Sequence, residues 1–174
     1  MRAVSITAMG AITPFGAGPE ALWSGLVHGE GRVEPGPSPE SGEPVVAALV
    51  QAEALAQRKG EDRALAMTRA AAEQLTTSPA WSRVDPSRLG VFVGTTQGAI
   101  HTWSRHQRRL REDPAGYQAP PLPWLADPAR VVARACGAGG PVECPSMACV
   151  SGPAALGLAL TWIRAGKPGP PRWA

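Results

Sequence analysis

A chain of 174 residues in which 44% of side chains are hydrophobic is long enough and apolar enough to bury one domain-sized core. Its net charge of +3 is modest, and Lys59 and Lys167 are its only lysines, so an arginine-rich composition rather than a polyanion partner accounts for the basic balance. Three cysteines, an odd number without C-x-x-C or Cys/His ligand spacing, exclude a disulfide framework and a metal site of that kind, and the expected compartment is a reducing cytoplasm.

In chain order, Arg2 to Met9 alternates in a way that predicts a strand, and Gly10 to Gly18 is a loop punctuated by Pro14 and glycines. Pro19 to Val27 is a short helix with Leu22, Trp23 and Leu26 on one face, followed by a polar Gly/Pro/Ser/Glu loop from His28 to Glu43. Val45 to Val50 is a candidate strand. Glu61 to Leu75 is a helix whose Leu65, Ala72 and Leu75 are spaced for burial, and its alanines permit close packing. Thr76 to Ser87 is a connection carrying Pro79 and Pro86, and Leu89 to Gly94 is a continuous apolar run of the kind found in a buried strand. Gln97 to Arg111 is helical after Gly98, Asp113 to Pro123 is a Pro-rich irregular segment, Asp127 to Cys136 is a helix, and Gly137 to Gly140 is a turn. The basic run Arg105 to Arg111 is short and lacks interleaved aromatics, which makes it a solvated helix face rather than a nucleic-acid surface. The glycines of G-A-G-G do not form a dinucleotide fingerprint.

The stretch with the most chemical content is P-S-M-A-C-V-S-G-P from Pro145 to Pro153. Val142 to Met147 reads as a short buried strand, and from Val150 the apolar residues run on with helical length and end at Gly166 behind Arg164. Cys149 therefore sits at the mouth of a helix, where free N–H groups and the macrodipole favour a thiolate. Ala148, Ser151 and Gly152 are small enough to admit a substrate or another backbone, and Pro153 is tolerated in a first helical turn. A cysteine beside a helix is more commonly inert packing. The uncharged run from Pro145 to Ile163 also approaches the roughly 17–25 residues of a membrane span, but its prolines, serines, glycines and alanines make it only mildly hydrophobic, as in a helix buried between soluble layers. It is internal, so it is not an export signal.

S-M-A-C-V-S-G (146–152) with the helix through I-R-A-G resembles the nucleophile segment of the β-ketoacyl-[acyl carrier protein] synthases, condensing enzymes of the thiolase superfamily. Val4 to Gly16 with Leu22, Trp23 and Leu26 is similar to that family's opening strand, turn and helix, with Ala8 where a glycine is usual. Leu89 to Thr96 resembles its third strand, and Val132 to Pro141 the approach to the nucleophile strand. The resemblance runs in order from about residue 2 to about residue 166. It implies an α/β fold, the N-terminal half of a five-layer α-β-α-β-α arrangement, with a β-ketoacyl synthase N-terminal domain over 1–166 and a divergent Pro-rich tail over 167–174.

The resemblance further implies that Cys149 accepts an acyl group as a thioester and that its backbone N–H forms half of an oxyanion hole. The acyl-enzyme would condense with a malonyl carrier protein, making the chain part of a 3-oxoacyl-[acyl carrier protein] synthase of fatty-acid or polyketide biosynthesis. No resident cofactor or metal is implied, because acyl groups arrive on the phosphopantetheine of a carrier protein or coenzyme A. The implied partners are an acyl carrier protein, for which the basic helix is a candidate contact, and a second copy or a polypeptide supplying the C-terminal half; no nucleic acid and no membrane are expected. The two histidines and the lysine of the family's condensation step lie after the cysteine. Here His28, His101 and His106 precede it and read as satisfied surface or loop residues, and Lys167 does not match the lysine position. Family members are roughly twice this long, and Pro168, Pro170 and Pro171 exclude the next strand. The expectation is a face of Leu156, Leu158, Leu160, Trp162 and Ile163 that needs a dimer or partner, with self-association through Val142 to Met147. The alternatives are an inactive truncated remnant or structural partner subunit, and a transacylase that uses only the thioester step.

Overall fold

The computed structural model describes residues 3–38, 41–55, 60–118 and 125–166. The strands are β1 (Ile12–Thr13), β2 (Gly16–Ala17), β3 (Glu34–Pro37), β4 (Pro44–Ala47), β5 (Val91–Phe92) and β6 (Val142–Glu143). The helices are α1 (Pro19–Val27), α2 (Arg63–Thr76), α3 (Ile100–Glu112), α4 (Asp127–Cys136) and α5 (Ser151–Ala165). The tail 167–174 with Lys167, and the 119–123 part of the Pro-rich segment, lie outside the described residues.

The architecture is α/β. β5 and β6 pair in parallel, and their ladder reaches past both strands through Val91 N–H to Pro141 O at 2.7 Å, Val93 N–H to Glu143 O at 3.0 Å and Thr95 N–H to Pro145 O at 3.3 Å. A parallel pair needs a long crossover, and α3 and α4 supply it. β5 touches both α4 and α5, and α2 packs along α4, so the ladder lies between a helix pair and α5. Side chains alternate across a strand. Val91 is buried, while Phe92 lines a groove with Ala159 and Trp162 of α5.

Small side chains set the spacing of the helix layer. Ala66, Ala70 and Ala72 of α2 and Ala129 of α4 are buried, and Leu55 with Val50 and Ala66 forms a compact cluster against Ile12, Ala54 and Met67. Asp62 is buried at the start of α2. One carboxylate oxygen accepts the Ala64 N–H at 2.9 Å, and the other accepts the Thr102 N–H in the first turn of α3 at 2.8 Å. One negative charge thus satisfies orphan donors at two helix starts. Arg69 is held nearby by Glu61 at 3.1 Å and Glu73 at 3.0 Å, and the hydrogen bonds it donates to these carboxylates hold its guanidinium firmly charged.

Several elements differ from expectation. Residues 3–11 are extended but have no ladder partner among the described residues. Instead the Gln74 side chain clasps one residue in the manner of a neighbouring strand, accepting the Ala11 N–H at 3.0 Å and donating to the Ala11 carbonyl at 2.9 Å. Gly10 permits this crossing, since a Cβ there would lie 2.3 Å from the Ala71 carbonyl oxygen. The expected 28–43 loop contains β3, which pairs antiparallel with β4, so the strand expected over 45–50 begins and ends earlier. Gly36 faces Val45, and Ser38 N–H bonds the Glu43 carbonyl at 2.7 Å, so the bonded pairs fall on even positions of β3 and Pro35 and Pro37 fall between them. A proline costs such a two-stranded ladder nothing at those positions.

α1 has the expected bounds but not the expected buried face: Trp23 and Leu26 are exposed, and the helix seats Gly25 against the Phe15 ring, where a Cβ would come within 2.2 Å. The expected buried strand before Cys149 is partly open, with Val142 and Met147 exposed. His106 is a buried residue rather than a surface one, its Nδ1 3.1 Å from the Tyr117 hydroxyl. His28 is exposed, with Nδ1 2.8 Å from the Ser24 carbonyl. Arg105, Arg108, Arg109 and Arg111 are exposed on α3.

Replacing Asp62 by Ala removes a cap and leaves the half-buried Thr102 N–H without its partner, a loss of about 2 kcal/mol. Urea unfolding followed by circular dichroism will show a lowered midpoint, with Asp62→Asn falling between the two. An unchanged midpoint for Asp62→Ala would refute the double-cap role.

Candidate active site

The turn around Cys149 is built by the end of the β5–β6 ladder. Beyond the Thr95–Pro145 bond the two chains part, and 147–150 folds into a single 3-10 turn over Ala148–Val150 that leads into α5. Val150 N–H closes the turn on the Met147 carbonyl at 3.1 Å. Ala148 has φ +50°, alone among the described non-glycine residues in taking a positive value. A left-handed conformation at an alanine costs of order 1–3 kcal/mol and persists only where neighbours over-determine it.

Those neighbours are two hydroxyls. Ser151, buried as the first residue of α5, accepts the Met147 N–H at 2.8 Å and donates to the Ala148 carbonyl at 2.7 Å. Thr96, just past β5, donates to the same carbonyl at 2.9 Å. Ser146 donates in turn to the Thr96 carbonyl at 3.4 Å. Gly94 makes the approach possible: a Cβ there would sit 2.1 Å from the Ser151 carbonyl oxygen and 2.6 Å from the Gly152 nitrogen. The end of β5 and the start of α5 are therefore in backbone contact, and no larger residue fits between them.

Cys149 is exposed at the apex of this turn, immediately before a 15-residue helix. The turn exposes its thiol, while the Val150 and Ser151 N–H groups are taken by the Met147 and Ala148 carbonyls. The other two thiols differ: burial pushes both Cys136 and Cys144 up, and Cys144 donates to the Leu125 carbonyl at 2.8 Å. His28 and His106 are occupied elsewhere, and His101 lies half-buried on α3. Among the described residues no three His, Cys, Asp or Glu side chains are grouped to hold a metal ion.

The turn thus presents an exposed cysteine between the end of a parallel ladder and a long helix. The family model described as beta-ketoacyl synthase, N-terminal domain, matches residues 1–168. The chain belongs to the β-ketoacyl synthase family. Among solved structures, the ishigamide ketosynthase/chain length factor superposes with a TM-score of 0.71 at 24% sequence identity, over 92% of this chain and 49% of that one. At that identity the likeness speaks to the fold, which is ketosynthase-type and thiolase-like. This β-ketoacyl synthase domain spans about half the length of the solved chain it matches. No curated protein matches it.

The sequence placed Cys149 correctly at the strand-to-helix junction, but not the residues that hold the turn. Ser151 was legible only as a small residue, and Thr96 only as the end of a strand motif. Their signal was a pair of hydroxyl residues, one two positions after the cysteine and one two positions after Gly94.

Gly94→Ala forces α5 away from β5, and the expected result is a loss of several °C in thermal midpoint together with changed accessibility of Cys149. A variant with wild-type melting and wild-type labelling would show that the contact is dispensable. In the unaltered chain at neutral pH, limiting iodoacetamide will modify Cys149 ahead of Cys136 and Cys144. Their raised pKa means less thiolate at that pH and so slower alkylation. Peptide mass mapping reads the order directly, and preferential labelling of either half-buried thiol would contradict it.

Proposed function

We propose that this domain is the N-terminal, nucleophile-bearing part of a 3-oxoacyl-[acyl carrier protein] synthase-type condensing enzyme, in which Cys149 takes up an acyl group as a thioester. The observation that carries the reading is the exposed Cys149 at the apex of a turn whose Ala148 sits at φ +50°, in a domain of this family. In the proposed step the Cys149 thiolate attacks the carbonyl carbon of an acyl-pantetheine thioester. The negative charge gathers on the carbonyl oxygen, where the Cys149 N–H donates, and collapse of the intermediate breaks the old C–S bond and releases the pantetheine thiolate, which takes a proton from water. The acyl group is delivered on a carrier protein or coenzyme A in the cytoplasm, and no resident cofactor enters this step.

Decarboxylative condensation with a malonyl carrier is assigned to groups outside the Cys149 turn, in keeping with the family's placement of its histidines and lysine after the cysteine. The α5 surface supports a covering unit. Leu156, Leu158 and Ile163 are exposed, with Leu156 at 69% of its full exposure, and an apolar groove runs beside them from Phe92 to Ala159. By length and composition 148–165 would also cross a membrane. Its first turn, locked to the end of β5 through Gly94, favours a second unit of the same fold, or a partner chain, as its cover.

Incubation of the full chain with a labelled acyl-pantetheine tests the first step. The expected result is one acyl equivalent on Cys149 by intact mass and peptide mapping, and none with Cys149→Ala. An unlabelled wild-type chain would refute the thioester step and favour the inactive partner subunit; label without condensation after addition of a complementing second-half polypeptide and malonyl carrier would favour a transacylase. Sedimentation should show the isolated chain self-associated, and Leu156→Glu with Ile163→Glu should shift it toward monomer. A cooperatively unfolding wild-type monomer would contradict the covering-unit proposal.

A further inference from the structure

We infer that Thr96 is a positioning residue for the Cys149 peptide, acting with Ser151 through the Ala148 carbonyl rather than by touching substrate. The inference rests on the proposed thioester step. The chain contains no cis peptide bond among the described residues, so the Ala148–Cys149 unit is trans and its C=O and N–H point in opposite directions. Thr96 Oγ1 at 2.9 Å, Ser151 Oγ at 2.7 Å and the Ser151 N–H converge on the Ala148 oxygen and draw it toward the β5–α5 junction. The N–H of Cys149 must then face away from that junction. Two separate elements fix one plane: Ser151 belongs to α5, and Thr96 follows β5, 52 residues earlier in the chain than Ala148.

Without Thr96 the Ala148 carbonyl would be held from the α5 side alone, by the Ser151 hydroxyl and N–H, and the left-handed φ of Ala148 gives the peptide reason to rock about that side. The second hydroxyl removes that freedom before substrate arrives. An oxyanion donor is effective in proportion to its prior alignment with the site where charge develops. Thr96 is itself exposed, so its loss carries a small packing cost and its effect is separable from folding.

The test compares Thr96→Val, which keeps the shape and removes the hydroxyl, with Thr96→Ser, which keeps the hydroxyl. Two rates are read at Cys149: acylation by an acyl-pantetheine, which needs the aligned N–H, and alkylation by iodoacetamide, which develops no oxyanion. Thr96→Val should slow acylation about tenfold or more at saturating thioester while alkylation changes less than about threefold, and Thr96→Ser should recover acylation to within about threefold of wild type. Ser151→Ala should slow acylation at least as much, and a wild-type acylation rate for it would count against the inference. The inference is overturned if Thr96→Val acylates at the wild-type rate, if both rates fall in the same proportion, or if serine gives no rescue. A wild-type chain that is never acylated overturns the functional reading and this inference with it, whereas wild-type acylation with an indifferent Thr96→Val overturns the inference alone.

Discussion

A trans peptide cannot turn its carbonyl inward without turning its N–H outward, and at Ala148 that constraint organises the centre of the domain. The carbonyl is held by one hydroxyl from the strand side and one from the helix side, which is possible only because Gly94 lets the two backbones meet. The parallel ladder sets the relative height of Thr96 and Ser146, and α5 sets that of Ser151. Strain at one alanine is thus borne by two stretches about fifty residues apart in sequence, a pattern characteristic of sites where orientation matters more than stability.

The helix layer solves a different problem. Asp62 and Arg69 are charged groups withdrawn from water, and each is tolerable because its partners are complete: Asp62 takes a donor from each of two helix starts, and Arg69 is flanked by Glu61 and Glu73. Asp62 fixes the start of α2 to that of α3, and between α2 and α4 alanines set the distance. The site therefore stands on a rigid helix pair even though little large apolar surface is buried within the chain.

Much of this was legible in the sequence where local chemistry decides the outcome. The bounds of α1 and α4 follow from Pro at the first positions and, for α4, Gly137 in the left-handed conformation at its end; α5 likewise ends at Gly166. Cys149 was placed at its junction by the change from strand to helix composition. What escaped was decided by distant partners. β3 is written E-P-G-P, which looks like loop until the register shows that its prolines fall between the bonded positions. Residues 3–9 carry a strand pattern but find no strand to join among the described residues, and α1 turns out to seat a glycine rather than its tryptophan. The hydroxyl clamp involves residues about fifty positions apart, which no local pattern announces.

The amide of Gln74 serves one residue of the opening segment and no more. Upstream of Ala11, a run of extended backbone carrying Ile6 and Met9 in the open has the make-up of an unfinished sheet margin. Such margins recruit whatever extended chain lies nearby. Outside its native surroundings, this open strip is therefore a second place, beside the exposed face of α5, at which the domain can stick to extended chain.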